Sequence, residues 1–385
     1  MNAPLEGLTI VEIGQYIAAP YAGLVLADLG ARVIKVEPPA GDGIRTWGPH
    51  VGGESAPFMA YNRNKECVTA DLKKPEDREL LERIIGEADV VVENNRPGVL
   101  NRFGFDAQSV RERHPLLIYC SITGYGTRSK YAERPAFDLV IQGITGLIDV
   151  TGHEEGDLAK VPVPIVDGTA SLHATTAILA AVRRRDQAGE GATIDISLQA
   201  STTTWMMLLA AGYFGDGEEP KRIGSSHPFA APYEAFQTAD GPITIAAGNE
   251  RQWARLCEVL EVTDLMEQPD YANNHDRAAN RVALAALIQQ RLRQRHRAEW
   301  IELLTAAGIP CGPVNSFSEA LEDPALVERG VIATFDHPHG GEVRTIGSPI
   351  EIEGYEPPLR RSPLQGEHTG QLAQETGYPH HQKSR

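Results

Sequence analysis

The stretch LTIVEIGQYIAAPYAGLVLADLGARVIKVE, Leu8 to Glu37, decides the fold. LTIVEI is an apolar, β-branched run without polar alternation, which predicts a strand covered on both faces. AAPYAGLVLADLG reads as a helix, with Pro20 near its start and Gly30 just past its end. ARVIKVE is a second strand of the same kind, closed by Pro38 and Pro39. Strand, helix and strand in so short a span predict parallel pairing, because parallel neighbours need a crossover between them.

The rhythm continues downstream. CVTADL is a third strand and KKPEDRELLERIIGEA an amphipathic helix with Pro75 in its first turn. DVVVENN and LLIYCSIT are further strands around another helical stretch. The fold class is therefore α/β, doubly wound around a parallel sheet. A helix is predicted from Asp167 to about Arg185, then a strand in GATIDIS and a long apolar helix behind it. From about Ile223 the texture changes. PYEAFQTADGPITIAAG predicts a hairpin around Asp240-Gly241, and the helical segments after it predict a smaller α+β domain. The expected division is a large domain over 1–215, completed by 331–385, and a small one over 223–330. RGVIATFDHPHGGEVRTIGSPIEIEG predicts short strands, and the polar last stretch of about 15 residues predicts loose order.

Composition narrows the function. The chain has 385 residues, 42% of them hydrophobic and 23% charged, as in ordinary globular proteins. Its longest apolar runs are broken by Gly, Asp or Lys, so no membrane partner is expected. A net charge of −16 argues against nucleic acid. An anionic ligand would need local cations against that field. The cysteines Cys67, Cys120, Cys257 and Cys311 show no paired short spacing. Beside apolar residues they predict reduced thiols in a cytoplasmic protein, with no metal site. Residues 1–12 lack the charged start and apolar core of a secretory signal.

The first βα turn, EIGQYIAAP, stands where a dinucleotide fold places its glycine fingerprint. Glu37 even closes the second strand where a ribose-binding acid would stand. Yet after Gly14 come Gln15, Tyr16 and Ile17, so the second glycine that admits a pyrophosphate is missing. A nicotinamide cofactor is not expected. In VPVPIVDGTASLHATTAILAAVRRR, Asp167 has two readings. It is suited to capping the helix behind it, and a carboxylate kept ionised by a helix N-terminus is equally suited to act as a nucleophile. Residue pattern alone leaves both open.

GQYIAAPYAGLVLADLGARVIKVEPPAGDGIR, VVVENNRPGVLNRFG, RPAFDLVIQGITGLIDVTG and PIVDGTASLHA resemble, in this order, the class III (CaiB/BaiF) CoA-transferase family. AAGIPCGPVNSFSEALEDP and GEHTGQLAQETGYP are similar to its C-terminal signatures, so the likeness spans Leu5 to about Tyr378. The resemblance implies a Rossmann-like large domain, a smaller α+β domain and an interlocked homodimer. Linkers would lie near Phe214 to Pro228 and Ala325 to Val331, and active sites between large and small domains of different subunits. It also implies CoA transfer from an acyl-CoA to a free carboxylic acid, with Asp167 as the nucleophile and CoA as a substrate rather than a tightly bound cofactor. Gln15, Tyr16 and Ala18 would face the pantetheine and thioester. Ala70, Asp71, Leu72, Lys73, Asn94, Asn95 and Arg102 would form the nucleotide-binding part, and Arg134 and Phe137 would flank CoA.

Two departures bear on the reaction. The family's racemase branch carries a histidine where this chain reads Ala136, Phe137, Asp138, and a phenyl ring cannot carry a proton. Transfer is therefore expected over racemisation or epimerisation, with a non-catalytic acyl-CoA binder as the other alternative. Asp138 is expected to serve structural hydrogen bonding. Formyl-CoA transferases close a glycine-rich loop over the acid, whereas Arg222 to Pro228 here reads RIGSSHP. Only Gly224 remains, and Ser225, Ser226 and His227 are suited to a second carboxylate on the acceptor.

Overall fold

A computed structural model describes residues 3–378 of the chain. The chain forms two compact units, one of Met1–Thr145, Val161–Met207 and Pro324–Arg385, the other of Gly146–Lys160 and Leu208–Asp323. This differs from the expected 1–215 and 223–330 division. Gly146–Lys160 leaves the first unit for the second, held there by an antiparallel bridge between His153 and Ile223. The Gly224 N–H also donates to the Gly152 carbonyl at 2.8 Å. Local periodicity carries no trace of such long-range tethers.

The first unit is built on six strands: β1 (Thr9–Ile13), β2 (Arg32–Glu37), β3 (Glu66–Thr69), β4 (Val90–Glu93), β5 (Ile118–Thr123) and β6 (Ala192–Ser197). Their order is β3-β2-β1-β4-β5-β6, and every pairing is parallel. Val11 stands opposite Ile34 on one side and Val91 on the other. The order runs outward in both directions from β1 and β4, so the switch point lies at their carboxyl ends. Gly14–Tyr16 and Asn94–Asn95 occupy that place.

Helices α1 (Ala18–Asp28), α2 (Pro75–Gly86), α3 (Asp138–Ile144) and α4 (Ile165–Ala188) supply the cover. On one sheet face Ile10, Val33, Val92 and Cys120 share a core with Leu26 of α1 and with Val166, Ala170, Ala174 and Ile178 of α4. On the other, Val11, Ile34, Val36 and Val91 share a core with Leu80, Leu81, Ile84 and Ile85 of α2. Cover on both faces is why these strands lack polar alternation. Contrary to expectation, α4 has the length and hydropathy of a membrane span; its apolar stripe is instead packed on the sheet.

The tail also departs from expectation. A helix over Thr369–Glu375 inserts Leu372 and Ala373 into the α2-side core. Residues 379–385 lie outside the described residues.

In the second unit, β7 (Tyr233–Gln237) and β8 (Pro242–Ala246) form the expected hairpin, and β9 (Cys311–Pro313) pairs with β8 on its far side. Phe236, Ile243 and Ile245 pack with Trp253, Leu256, Leu284, Ile288 and Trp300 from three helices in a separate core. The long apolar helix expected after β6 is broken into Leu198–Thr203, Thr204–Met206 and Met207–Asp216, and the boundary between units falls inside it. The hairpin of β10 (Ile332–His337) and β11 (Gly341–Ile346) belongs to the first unit.

Candidate active site

Beneath the β1–α1 turn lies a buried ionic network. Lys35, in the middle of β2, reaches Glu12 Oε1 at 3.0 Å, Asp42 Oδ2 at 2.8 Å and the Gly14 carbonyl at 2.9 Å. Lys65 donates to Glu12 Oε2 at 2.7 Å, to Asn62 Oδ1 and to the Pro20 carbonyl. Burial works against charge on Lys35, but Glu12, Asp42 and Glu37 outweigh it and push its pKa up. For Lys65 burial wins, aided by Lys35, and the pKa falls to about 8. Glycine at position 23 leaves room for the network, since a Cβ there would meet Glu12 Oε2 at 2.3 Å.

These buried groups hold the turn from several sides. Asp42 Oδ1 accepts from the Tyr16 N–H at 3.0 Å, fixing a tyrosine whose φ is +63°. Such left-handed backbone is strained for an aromatic residue and persists only where the surroundings impose it. Asn94 Oδ1 accepts from Gln15 N, its Nδ2 donates to Gln15 O, and Asn95 Nδ2 donates to the Ile13 carbonyl. The Tyr16 ring lies on bare Gly43, where a Cβ would come within 2.4 Å of its hydroxyl, and meets Trp47 and the exposed Phe137.

Asp167 lies across this first turn of α1. Ser171 Oγ bonds both the Ala18 carbonyl, at 2.6 Å, and the Asp167 carbonyl, at 2.7 Å, so the first turns of α1 and α4 share one hydroxyl. The expected helix start is corrected. Helix α4 begins at Ile165 behind Pro164, and Asp167 is its third residue rather than its cap. Among the described residues no hydrogen bond reaches the Asp167 carboxylate, which is half-buried. Its expected ionisation by the helix N-terminus is also corrected. Burial, then the nearby Asp138 carboxylate, push its pKa up to about 7. The macrodipole contributes only about 0.3–1 kcal/mol at such a site and is outweighed.

The remaining expected residues separate into groups. Gln15, Ala70, Asp71, Leu72, Lys73 and Asn95 line one cleft of about 200 Å³ with Pro38 and Phe103. Asn94 is outside that lining, committed to the Gln15 backbone. Ala18 is buried, at 3% exposure, and offers a ligand no side-chain surface. Arg102 also stands outside the cleft lining, exposed beside the Gly98 carbonyl. Arg134 stacks on Tyr131, its guanidinium 3.9 Å from the ring centre. A larger cleft of about 800 Å³ runs along β5 and β6 and holds none of the expected residues. Its Arg96, Arg111 and Arg128 are balanced by Glu93, Asp106, Glu112 and Asp195.

In the second unit, the loop Gly224–His227 is tied to its own strand. Ser225 Oγ accepts from the Ala235 N–H, and the His227 N–H donates to the Tyr233 carbonyl. His227 Nδ1 accepts from the Phe229 N–H at 3.1 Å. The three side chains expected to meet a substrate carboxylate are therefore largely spent within the unit, since Ser226 also hydrogen-bonds the Glu234 carboxylate, leaving His227 Nε2 for another partner. Gly224 and Ser226 line a cavity of about 640 Å³ with Arg281.

Sequence reading missed Glu12, Lys65 and Asp42, and gave Lys35 no specific role among the basic residues. The signal was present: a glutamate and a lysine interrupt neighbouring strands that are otherwise apolar, and charges are almost never fully buried unless paired.

Comparison with known proteins gives one consistent result. The profile of CoA-transferase family III matches residues 5–369. Succinyl-CoA:glutarate CoA-transferase from Homo sapiens is 35% identical, covering 97% of this chain and 86% of its own length. Succinyl-CoA:mesaconate CoA-transferase from Haloarcula hispanica is 36% identical, covering 97% and 96%. Among solved structures, a CAIB/BAIF family protein from Brucella suis is 39% identical with a TM-score of 0.86, covering 98% of this chain and 100% of that one.

Proposed function

The chain belongs to CoA-transferase family III, and from that premise we propose that it moves CoA from an acyl-CoA donor to a free carboxylic acid through covalent intermediates on Asp167. The observation that carries this reading is the state of that carboxylate. It is half-buried, takes no hydrogen bond among the described residues, and titrates near 7. A carboxylate unburdened by donors and more basic than usual is a stronger nucleophile, and near neutrality a substantial share of it is ionised.

The chemistry then runs in four exchanges. An Asp167 oxygen attacks the donor thioester carbonyl, the C–S bond breaks, and a mixed anhydride forms with release of CoA thiolate. The thiolate attacks the Asp167 carbonyl carbon, giving an aspartyl-CoA thioester and the first free acid. The acceptor carboxylate attacks that thioester, forming a second anhydride and again freeing the thiolate. Attack of the thiolate on the acceptor's carbonyl yields the new acyl-CoA and restores Asp167. Each exchange trades one activated acyl group for another, so no step makes an activated acyl group from a free acid alone.

Gln15 and Tyr16, on a turn locked by Asn94 and Asp42, support a role as a rigid wall for the thioester, with the amide of Gln15 suited to donate to developing negative charge. The cleft of Gln15, Ala70–Lys73 and Asn95 is proposed for the nucleotide end of CoA, with Lys73 and Arg102 for its phosphates and Arg134 and Phe137 along its flank. Phe137 favours transfer over racemisation. The acceptor is proposed to be a dicarboxylic acid, in keeping with the names of the relatives above and with His227 Nε2. A Rossmann-like large unit and an interlocked homodimer are part of the same reading.

A matrix of acyl-CoA donors against free acids, read by mass spectrometry of the CoA products, tests it. New acyl-CoA in donor–acceptor pairs, with Asp167 as the one carboxylate modified by hydroxylamine during turnover, is the expected result. Deuterium entering the α-carbon without exchange of acids would replace the reading with racemisation.

A further inference from the structure

The segment entering α4 is held by two side chains of α3, 19 and 28 positions upstream of the atoms they hold. Gln142 is fully buried, and its amide is used completely on this contact. Its Oε1 accepts from Val161 N at 2.9 Å, while Nε2 donates to the Val161 carbonyl at 3.1 Å and to Asp138 Oδ1 at 2.7 Å. Asp138 Oδ2 then accepts from the Val166 N–H at 3.0 Å. Between these anchors stand Pro162 and Pro164, which have no N–H to give.

This arrangement does what a local cap would ordinarily do. Helix α4 has Pro164 at its N-cap and no side-chain cap of its own, so one of its orphan donors is satisfied by a carboxylate from another helix. The anchored amide, Val166 N, belongs to the residue immediately before Asp167. Asp138 from α3 acts on the Asp167 carboxylate, and Tyr61 from the helix Ala56–Asn62 is near enough for the Asp167 charge to help raise its own pKa. Of the two, only Asp138 holds the backbone beside it.

We propose that Asp138 is a positioning residue for the reaction, which fixes the first turn of α4 through the Val166 amide and opposes, by its own charge, the ionised form of Asp167. Gln142 is the second member of the device, orienting Asp138 and pinning Val161. The proposal rests on the reading of Asp167 as the nucleophile. It gives Asp138 a double task, since the oxygen that steadies the helix also makes the neighbouring carboxylate more basic.

The test separates charge from support. Asp138→Asn keeps an oxygen for Val166 N, removes the charge and gives up the acceptor for Gln142 Nε2, whereas Gln142→Met removes the whole clamp but keeps the charge. The acid limb of kcat/KM should move to lower pH by roughly half a unit or more in Asp138→Asn, because a like charge has been deleted. It should stay in place in Gln142→Met while kcat falls about tenfold through loss of alignment. Titration of the Asp167 carboxyl carbon by 13C NMR in the free protein reads the same shift without turnover. An unmoved Asp167 titration in a folded Asp138→Asn protein overturns the proposal, as does an equal pH shift in both variants. Hydroxylamine trapping on the parent keeps the two questions apart: labelling elsewhere than Asp167 defeats the nucleophile reading, whereas labelling at Asp167 with no shift in Asp138→Asn defeats this inference alone.

Discussion

Asn94 closes both hydrogen-bonding groups of the Gln15 backbone, accepting from its N–H and donating to its carbonyl, each at 2.9 Å. A side chain at the end of β4 thereby sets the conformation of the turn at the end of β1. Asn94→Ala leaves both groups without a partner, and a buried unsatisfied group costs about 1–3 kcal/mol. A lower Tm and a raised KM for acyl-CoA are expected together. Asn94→Asp should fall between Ala and the parent, since it still accepts from the N–H but repels the carbonyl. Thermal denaturation and initial rates check this; unchanged values in Asn94→Ala would show the turn to be held by other contacts.

The Lys35 ammonium is fully buried. Replacing it with methionine leaves Asp42 without its cation and Glu12 with Lys65 alone. Breaking a buried pair by removing one partner costs about 3–5 kcal/mol. Lys35→Met should therefore unfold at clearly lower urea concentration than the parent. Lys35→Arg should not restore stability, because a planar guanidinium does not fit a site shaped around one ammonium. A midpoint in Lys35→Met equal to the parent's would remove the network from the account of stability.

The parallel sheet was legible because burial on both faces leaves a direct mark, an apolar β-branched run between turn residues. The hairpin of β7 and β8 was legible from Asp240-Gly241 for the same kind of local reason. The segment 146–160 was not, since its place in the second unit rests on His153, Ile223 and Arg222, whose partners lie about seventy positions apart in chain order. In the site, Gln15 and Asp167 were singled out and their supports were not. Lys35, Asp42 and Gln142 stand in the same quoted motifs, but what they do depends on hydrogen bonds to backbone atoms distant in sequence, at Gly14, Tyr16 and Val161, which no residue pattern records. The ionisation of Asp167 was misread because a helix N-terminus is visible in sequence, whereas the burial and the Asp138 charge that oppose it are products of packing.

Thiol chemistry gives an independent check on the core. Cys67, Cys120 and Cys257 are buried, and burial pushes the thiols of Cys67 and Cys257 up to about 12. Cys120 moves in the same direction for the same reason. The thiolate is the reactive form, so iodoacetamide near neutral pH should label Cys311, which is partly exposed, well before the other three. Mass spectrometry of the peptides reads the order. Early labelling of Cys120 in native protein would contradict its place beneath α4.

Asp167→Asn joins stability to function with opposite signs. The Asp167 pKa in the folded protein, about 7, lies above its ordinary value of 3.8. Folded protein thus keeps this proton at pH values where the unfolded chain has lost it, and stability declines as pH rises from about 4 to about 7. Asparagine removes that decline. The variant should melt above the parent near pH 8 by about 2 °C or more, equivalent to roughly 1 kcal/mol in a chain of this size, and the difference should vanish near pH 4. Turnover should drop to background, while the parent's kcat/KM should climb with pH through about 7 as the nucleophile ionises. A variant that melts below the parent near pH 8 would mean the carboxylate is held by donors in solution and is less basic than its surroundings imply. A variant that still exchanges acids would mean that another group carries the acyl load.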